Sequence, residues 1–202
     1  MTISLPGLPA LHWTGVDGDA EYDEEARALT LRAAGGVDWT NDATGGPAQH
    51  AATALAFPAP HGDFVLAARV RMSGTRSTFD AGALALWSRE DRWAKLCNEY
   101  SPQGDAMVVS VVTNEFSDDA NGPLFPGEAV HLRVARTGPA FAFHYSLDAL
   151  SWHFVRVFRV DADPSTISVG FLAQAPMGEG AAAVFDEIAY AERSLSDLRN
   201  LR

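Results

Sequence analysis

The sequence predicts an all-β fold, a two-sheet antiparallel jelly-roll sandwich, and three observations support this prediction. Short runs rich in apolar and β-branched residues recur along the 202-residue chain, bounded by Gly, Pro, Asp and Asn. No helical period separates these runs, which argues against an α/β fold. Hydrophobic residues make up 47% of the chain, enough to fill a large core.

The pattern gives ten strands and one short helix. The helix is expected over residues 195–201, where the chain would cap a sheet edge. No internal repeat or linker interrupts the strands, so one domain is expected to span residues 1–202. The predicted strands cover residues 28–33, 64–72, 82–89, 93–100, 107–114, 130–136, 141–147, 152–160, 167–173 and 183–190.

Charge and cysteine content limit the partners and the compartment. Lys and Arg total 15 against 26 Asp and Glu, a formal net charge of −11. A nucleic-acid backbone or an anionic membrane needs a basic surface, so neither is expected as a partner, whereas a neutral or cationic ligand fits. The one cysteine, Cys97, allows no intrachain disulfide, which favours a reducing compartment. With no signal-peptide pattern at the N-terminus, a cytoplasmic location is predicted.

Alternation along the three central strands predicts a polar groove on one sheet face. Placing Leu84 beside Leu96, and Leu96 beside Val111, gives a trial register with apolar side chains facing the core. Lys95 and Glu99 then share the opposite face about 13 Å apart, too far for a salt bridge but suited to a bound polar molecule. An ordinary solvated sheet face is the alternative. The groove residues in this register are Trp87, Trp93, Lys95, Cys97, Glu99, Ser110 and Asn114.

Two long polar segments, residues 35–61 and 114–127, are predicted to be loops, where binding sites often lie. The second carries Ser117, Asp118, Asp119 and Asn121, whose clustered oxygens are the ligands that calcium prefers. The segment lacks EF-hand spacing, and an Asp/Asn turn explains it equally well. No cofactor is therefore predicted, and calcium stays an alternative.

Five stretches of the sequence form a known pattern: 93–104 (WAKLCNEYSPQG), 109–113 (VSVVT), 117–121 (SDDAN), 143–146 (FHYS) and 169–174 (VGFLAQ). With further matches over residues 10–190, these motifs resemble the regulation-of-enolase-protein-like family. The resemblance implies a concanavalin A-like sandwich related in fold to lectins, carbohydrate-binding modules and glucanases. It implies no specific activity, although the family name suggests regulation of a metabolic enzyme.

The resemblance also implies a set of site residues. In the first loop it points to Asp38 and Asp42, although Thr40 and Ala43 depart there from the family pattern. It includes His144 among the matched positions. Its positions in the sheet are Lys95, Glu99, Ser110 and Thr113, and its positions in the second loop are Ser117, Asp118, Asp119 and Asn121.

Catalysis and metal binding stay open at this stage. Glycosidases need two carboxyl groups, and Glu99 is alone on its strand. Its partner would come from a loop aspartate, and the candidates are Asp118, Asp119, Asp38 and Asp42. His131, His144 and His153 fall on three successive strands, where one register would bring them together as a zinc site.

The function expected from the sequence is binding of a carbohydrate or polyol on the groove face. Tryptophan would supply stacking and the charged groups would supply hydrogen bonds. One alternative is a glycan-acting hydrolase that uses Glu99 with a loop aspartate. The other is a regulatory protein that binds a metabolic enzyme through the same face.

Overall fold

The computed structural model describes residues 2–199 and shows a sandwich of two antiparallel β-sheets. One short 3-10 turn, Pro164–Thr166, is the only helical element among these residues. The strands are β1 Thr2–Ile3, β2 Leu11–Trp13, β3 Asp19–Asp23, β4 Ala28–Ala34, β5 Ala54–Pro58, β6 Phe64–Ser73, β7 Ala81–Arg89, β8 Arg92–Tyr100, β9 Ala106–Asn114, β10 Phe116–Leu124, β11 Ala129–Thr137, β12 Ala140–Ser146, β13 Trp152–Phe158, β14 Ser168–Gln174 and β15 Gly180–Ala191.

The two sheets have eight and seven strands. Sheet A has the order β1-β2-β5-β14-β7-β8-β9-β10, and sheet B has the order β13-β12-β11-β6-β15-β4-β3. Leu84, Leu96 and Phe171 of sheet A pack against Val70 and Phe143 of sheet B, with side chains fully or almost fully buried. This layer between the sheets is the main core, and its hydrophobic burial is the chief stabilising term of the fold.

All ten strands predicted from the sequence are present, and the two-sheet sandwich is confirmed. Alternation did not reveal β1, β2, β3, β5 and β10, most of which are short strands near a sheet edge. The helix expected over 195–201 is absent from the described part of that segment, residues 195–199; residues 200 and 201 lie outside the described residues. Within residues 2–199, no helix is long and apolar enough to cross a bilayer.

The segment 114–127 was predicted to be a loop, and this was wrong. Its middle forms the edge strand β10, which pairs with β9 from Phe116↔Asn114 onward. The chain reverses at Glu115, whose φ of 76° is a left-handed turn conformation. Asp and Asn are disfavoured in strands generally, but an edge strand exposes one side to water and tolerates them. The polar composition therefore marked a sheet edge.

Candidate functional site

The outer face of sheet A, which points away from sheet B, is largely covered by the segment between β4 and β5. One bridge, Val37 with Ala175, joins this segment to the residue after β14, and a second, Thr40 with Gln49, closes the segment on itself. The ring of Trp39 lies 4.4 Å from that of Trp87 and 5.8 Å from that of Trp93. Together with Ala83 and other apolar side chains of the sheet, the tryptophans form a second, smaller core on this face.

A cavity of about 230 Å³ remains where this cover ends. Its apolar floor is formed by Val109 and Val111 of β9, and Trp39 lines one side. The polar side chains around it come from the covering segment, β8, β10 and β14. The lining consists of Asp38, Trp39, Thr40, Phe79, Lys95, Glu99, Val109, Val111, Asp119, Asn121 and Gln174.

Lys95 is buried at one side of this cavity and all three of its ammonium protons are used. Nζ donates to Asp38 Oδ1 at 2.7 Å, to the Trp39 carbonyl at 2.7 Å and to Gln174 Oε1 at 2.8 Å. Burial alone would lower the pKa of Lys95, but the neighbouring acidic groups, Asp38 foremost, together outweigh burial and the net pKa is raised. Lys95 is thus a charged clamp between the covering segment and β14, with no proton left for a ligand.

Glu99 differs from Lys95 because its side chain is buried without any hydrogen-bond partner in the described part of the chain. Its side chain is only 7% exposed and lines the cavity, yet no group within residues 2–199 donates a hydrogen bond to its carboxyl. Burial raises the pKa of Glu99 to about 7, partly offset by Lys95 and reinforced by Asp38 and Asp119. Burying a carboxyl without a hydrogen-bond partner costs free energy, and a ligand that supplies the partner would recover it. Glu99 is therefore available to a ligand in either protonation state.

The rim of the cavity is more open. Asp119 and Asn121 project from β10, and no hydrogen bond within residues 2–199 engages either side chain. Desolvation raises the pKa of Asp119, but the side chain is still well exposed to solvent, which limits that shift. Phe79 is 38% exposed at the rim with a φ of 66°, and its carbonyl accepts a hydrogen bond from Gln174. An aromatic face is therefore held beside unpaired polar groups.

The trial register was correct between β7 and β8 but wrong between β8 and β9. Leu84 pairs with Leu96 as expected, whereas Leu96 pairs with Ser110 and not with Val111. Ser110 therefore faces the main core, and its predicted place in the groove is wrong. Val109 and Val111 take the outer face instead. A one-residue slip exchanges the two faces of a strand, and β9 is apolar on both.

We expect Ser110→Ala to raise the free energy of unfolding by about 1 kcal/mol, because the buried Ser110 Oγ has no hydrogen-bond partner within residues 2–199. Removing an unsatisfied hydroxyl recovers its desolvation cost. Urea unfolding of both proteins measures the change. The matched control is Ser146→Ala: that buried hydroxyl donates to Asp148, so its removal should destabilise. A loss of stability in Ser110→Ala would contradict the assignment.

Four other predicted residues lie outside the cavity. Thr113 is on the outer face but buried against Ser117, and the two hydroxyls are 2.9 Å apart. Asn114 lies at the sheet end, bonded to the backbone of Arg159 and Asp161. The two remaining carboxylates also have other partners: Asp42 accepts hydrogen bonds from Thr44 and Gly46 in a local turn, and Asp118 pairs with Arg156.

The tryptophans of the groove are present but covered. Trp87 stands beside Trp93 as predicted. Trp93 is fully buried, and its Nε1 donates to the Glu90 carbonyl. Trp39 packs on both rings, so they support the covering segment. The buried Trp93 does not stack on a ligand as predicted, and the partly exposed Trp87 does not line the cavity. Between them and Glu99, burial raises the pKa of Cys97 well above its usual value, which disfavours a thiolate nucleophile.

The histidine zinc site is also wrong. His131 contacts Glu187 at 3.0 Å, and His153 stacks on Tyr145 with ring centroids 4.8 Å apart. His144 is buried on the outer face of sheet B, bonded to the Leu198 carbonyl, and is therefore remote from the sheet A cavity. In the part of the chain described, no group of three or more His, Cys, Asp or Glu is placed to hold a metal ion.

The cavity thus contains Asp38, Lys95, Glu99, Asp119 and Asn121 from the sequence-predicted set. The sequence reasoning did not select Phe79, Trp39 or Gln174 as site residues. A tryptophan within a polar segment was the available signal for Trp39, because an indole of that size rarely stays in solvent. Gln174 lay inside a matched motif, but nothing in the sequence linked it to Lys95.

A family model described as "Protein of unknown function (DUF1349)" matches residues 13–193. The chain belongs to this family. The description of DUF1349 assigns no activity, in agreement with the resemblance seen in the sequence, which implied a fold more clearly than a function. No curated protein matches the chain.

Solved structures similar to this DUF1349 chain share the sandwich. A functionally unknown protein from Saccharomyces cerevisiae superposes with a TM-score of 0.78 at 23% identity, over 91% of this chain and 96% of the other. The GH43 protein BlXynB from Bacillus licheniformis gives 0.65 at 17%, over 82% of this chain but 33% of its own. The carbohydrate-binding module CBM66 from Bacillus subtilis gives 0.53 at 16%, over 88% and 94%. At these identities the likeness shows the fold alone.

Proposed function

We propose that this protein is a carbohydrate-binding module whose cavity on the outer face of sheet A holds one sugar unit or a related polyol. A sugar ring has apolar C–H faces and a polar hydroxyl edge. The observation that supports the proposal is the cavity lining: an apolar floor of Val109 and Val111, the exposed ring of Phe79, and the unpaired polar side chains of Glu99 and Asn121.

The size and charge of the cavity agree with such a ligand. Its volume of about 230 Å³ is below the range of about 300 to 1,000 Å³ typical of drug-sized ligands, which favours a single sugar unit. The formal net charge of −11 disfavours an anionic ligand. Among similar folds, CBM66 is by its name a carbohydrate-binding module, and it spans nearly the same length as this chain. We further propose a cytoplasmic location, because Cys97 is a free thiol.

We expect wild-type protein to bind at least one glycan class on an array, and Phe79→Ala to weaken that binding about fivefold, since an aromatic contact contributes about 1 kcal/mol. Phe116→Ala is the matched control, because Phe116 is 58% exposed but does not line the cavity. Calorimetry on the best glycan measures both. Absence of wild-type binding to every glycan, with and without calcium, would overturn the proposed function.

Glycan hydrolysis is the second candidate, favoured by one observation: Glu99, with its raised pKa, shares a cavity with Asp119. The register weighs against it. Asp119 pairs across Val111 with Lys95, four residues from Glu99, so the two backbones are about 13 Å apart along the strands. Carboxyl pairs in glycosidases lie about 5 to 9.5 Å apart. New reducing ends from a bound oligosaccharide would favour the enzyme.

The third expectation, regulation of a metabolic enzyme, is implied by the sequence resemblance alone. If no glycan binds, capture of protein partners by the wild type and by Phe79→Ala becomes the next experiment. A partner lost in the variant would place protein binding on the same cavity rim.

A further inference from the structure

Of the four charged side chains that line the cavity, two form an ion pair with each other and two have no ion-pair partner in the part of the chain that the structure describes. Lys95 is the only lysine in the chain, and its ammonium is bonded to Asp38 within a three-acceptor cage. Of the other charged groups in the lining, Glu99 and Asp119 have no hydrogen bond or ion pair within residues 2–199. The free charges offered to a ligand are therefore both negative.

Glu99 is the stronger indicator of the two, because it is 93% buried yet unpaired and lines the cavity. A carboxylate in that position gains most from a donor that brings its own positive charge, since a charge-assisted hydrogen bond is stronger than a neutral one, and low local dielectric increases the difference. A neutral hydroxyl would satisfy the hydrogen bond but leave the buried charge.

A divalent metal ion is a poorer occupant than an organic cation. No set of three or more acidic, histidine or cysteine side chains in the described part of the chain is arranged around one point. The ammonium of Lys95, fixed 2.7 Å from Asp38, adds a positive charge that opposes a dication more than a single ammonium.

We propose that the cavity selects an amino sugar, with the ligand ammonium placed on the Glu99 carboxylate, its hydroxyls on Asn121 and Asp119, and its apolar face against Phe79. This inference rests on the proposed carbohydrate function and names its ligand class. The raised pKa of Glu99 agrees with it, since a cation is what returns a buried carboxyl to its ionised form.

Three trisaccharides that differ only at C2 test the proposal by calorimetry: cellotriose with a hydroxyl, the glucosamine trimer with an amine, and its fully N-acetylated form. We expect the glucosamine trimer to bind at least about tenfold more tightly than the other two, the factor that corresponds to one charge-assisted hydrogen bond. Added salt should reduce the advantage.

Glu99→Gln keeps the shape of the side chain and one acceptor oxygen but removes its charge, so the preference for the glucosamine trimer over cellotriose should disappear. Asp118→Asn is the matched control. It removes one charge of the same sign from β10, two strands away in the same sheet, but Asp118 pairs with Arg156 and does not line the cavity. The preference should survive in that variant.

Each other outcome overturns the inference in a distinguishable way. Equal binding of all three trisaccharides would refute the amino-sugar preference and leave the carbohydrate-binding function standing. A preference that persists in Glu99→Gln would refute Glu99 as the partner of the amine. If no sugar on the array or among these three binds the wild type, the proposed function fails and the inference fails with it.

Discussion

Replacing Lys95 with methionine is expected to lower the free energy of unfolding by about 3 to 5 kcal/mol, as is typical when one partner of a buried ion pair is removed. Methionine fills a similar volume but leaves the Asp38 carboxylate, the Trp39 carbonyl and Gln174 Oε1 without their shared donor. Asp38 is only 15% exposed, so water compensates little. Urea unfolding at neutral pH measures the loss.

Two variants test whether the ammonium cage, and not charge in general, is responsible. Arg89→Met removes a cation that is 54% exposed and paired with Asp91, and it should cost at most about 1 kcal/mol. Lys95→Arg keeps the charge but offers a planar fork where the acceptors surround one atom, so it should recover only part of the stability. A cost below about 1 kcal/mol for Lys95→Met would contradict the clamp assignment.

The face shared by Lys95 and Glu99 could be predicted from the sequence because it depends only on the alternation of side chains along one strand. Residues two and four apart on a strand lie on the same side whatever strand they pair with. The β7–β8 pairing was equally accessible, since only one register joins Leu84 to Leu96 with Trp87 beside Trp93. Local alternation also sufficed for the ten strands that the sequence predicts.

The β8–β9 register could not be predicted because β9 gives no face preference. Val108 and Val112 point into the main core, while Val109 and Val111 point outward into the second core, so both faces are apolar. Alternation specifies register only where one face is polar. The single polar side chain in the middle of the strand, Ser110, pointed to the wrong answer because it is buried without a partner.

The position of the covering segment could not be predicted for a different reason: it is set by contacts with residues that are distant in the sequence. Asn41 donates backbone and side-chain hydrogen bonds to Ser117 and to the Glu90 and Glu115 carbonyls. Trp39 donates Nε1 to the Ala52 carbonyl. None of these pairings leaves a local pattern. As a result, the sequence indicated the four charged residues that line the cavity but not that the covering segment lies across the sheet and encloses it.

As pH rises and Glu99 loses its proton, the free energy of unfolding of the wild type is expected to fall by about 3 kcal/mol more than that of Glu99→Gln. The pKa of Glu99 is raised from about 4.5 to about 7 on folding, so the folded state holds the proton more tightly. This contribution is fully present below pH 4.5 and is lost as pH rises through about 7, at about 1.4 kcal/mol per pKa unit. Urea unfolding of both proteins at intervals from pH 4.5 to 8.5 measures it, since the other titrating groups cancel in the difference.

Glu90→Gln, at a side chain 79% exposed, is the control and should follow the wild type. Parallel curves for wild type and Glu99→Gln would mean that the Glu99 carboxyl is solvated, and the amine preference inferred from its burial would lose its physical basis.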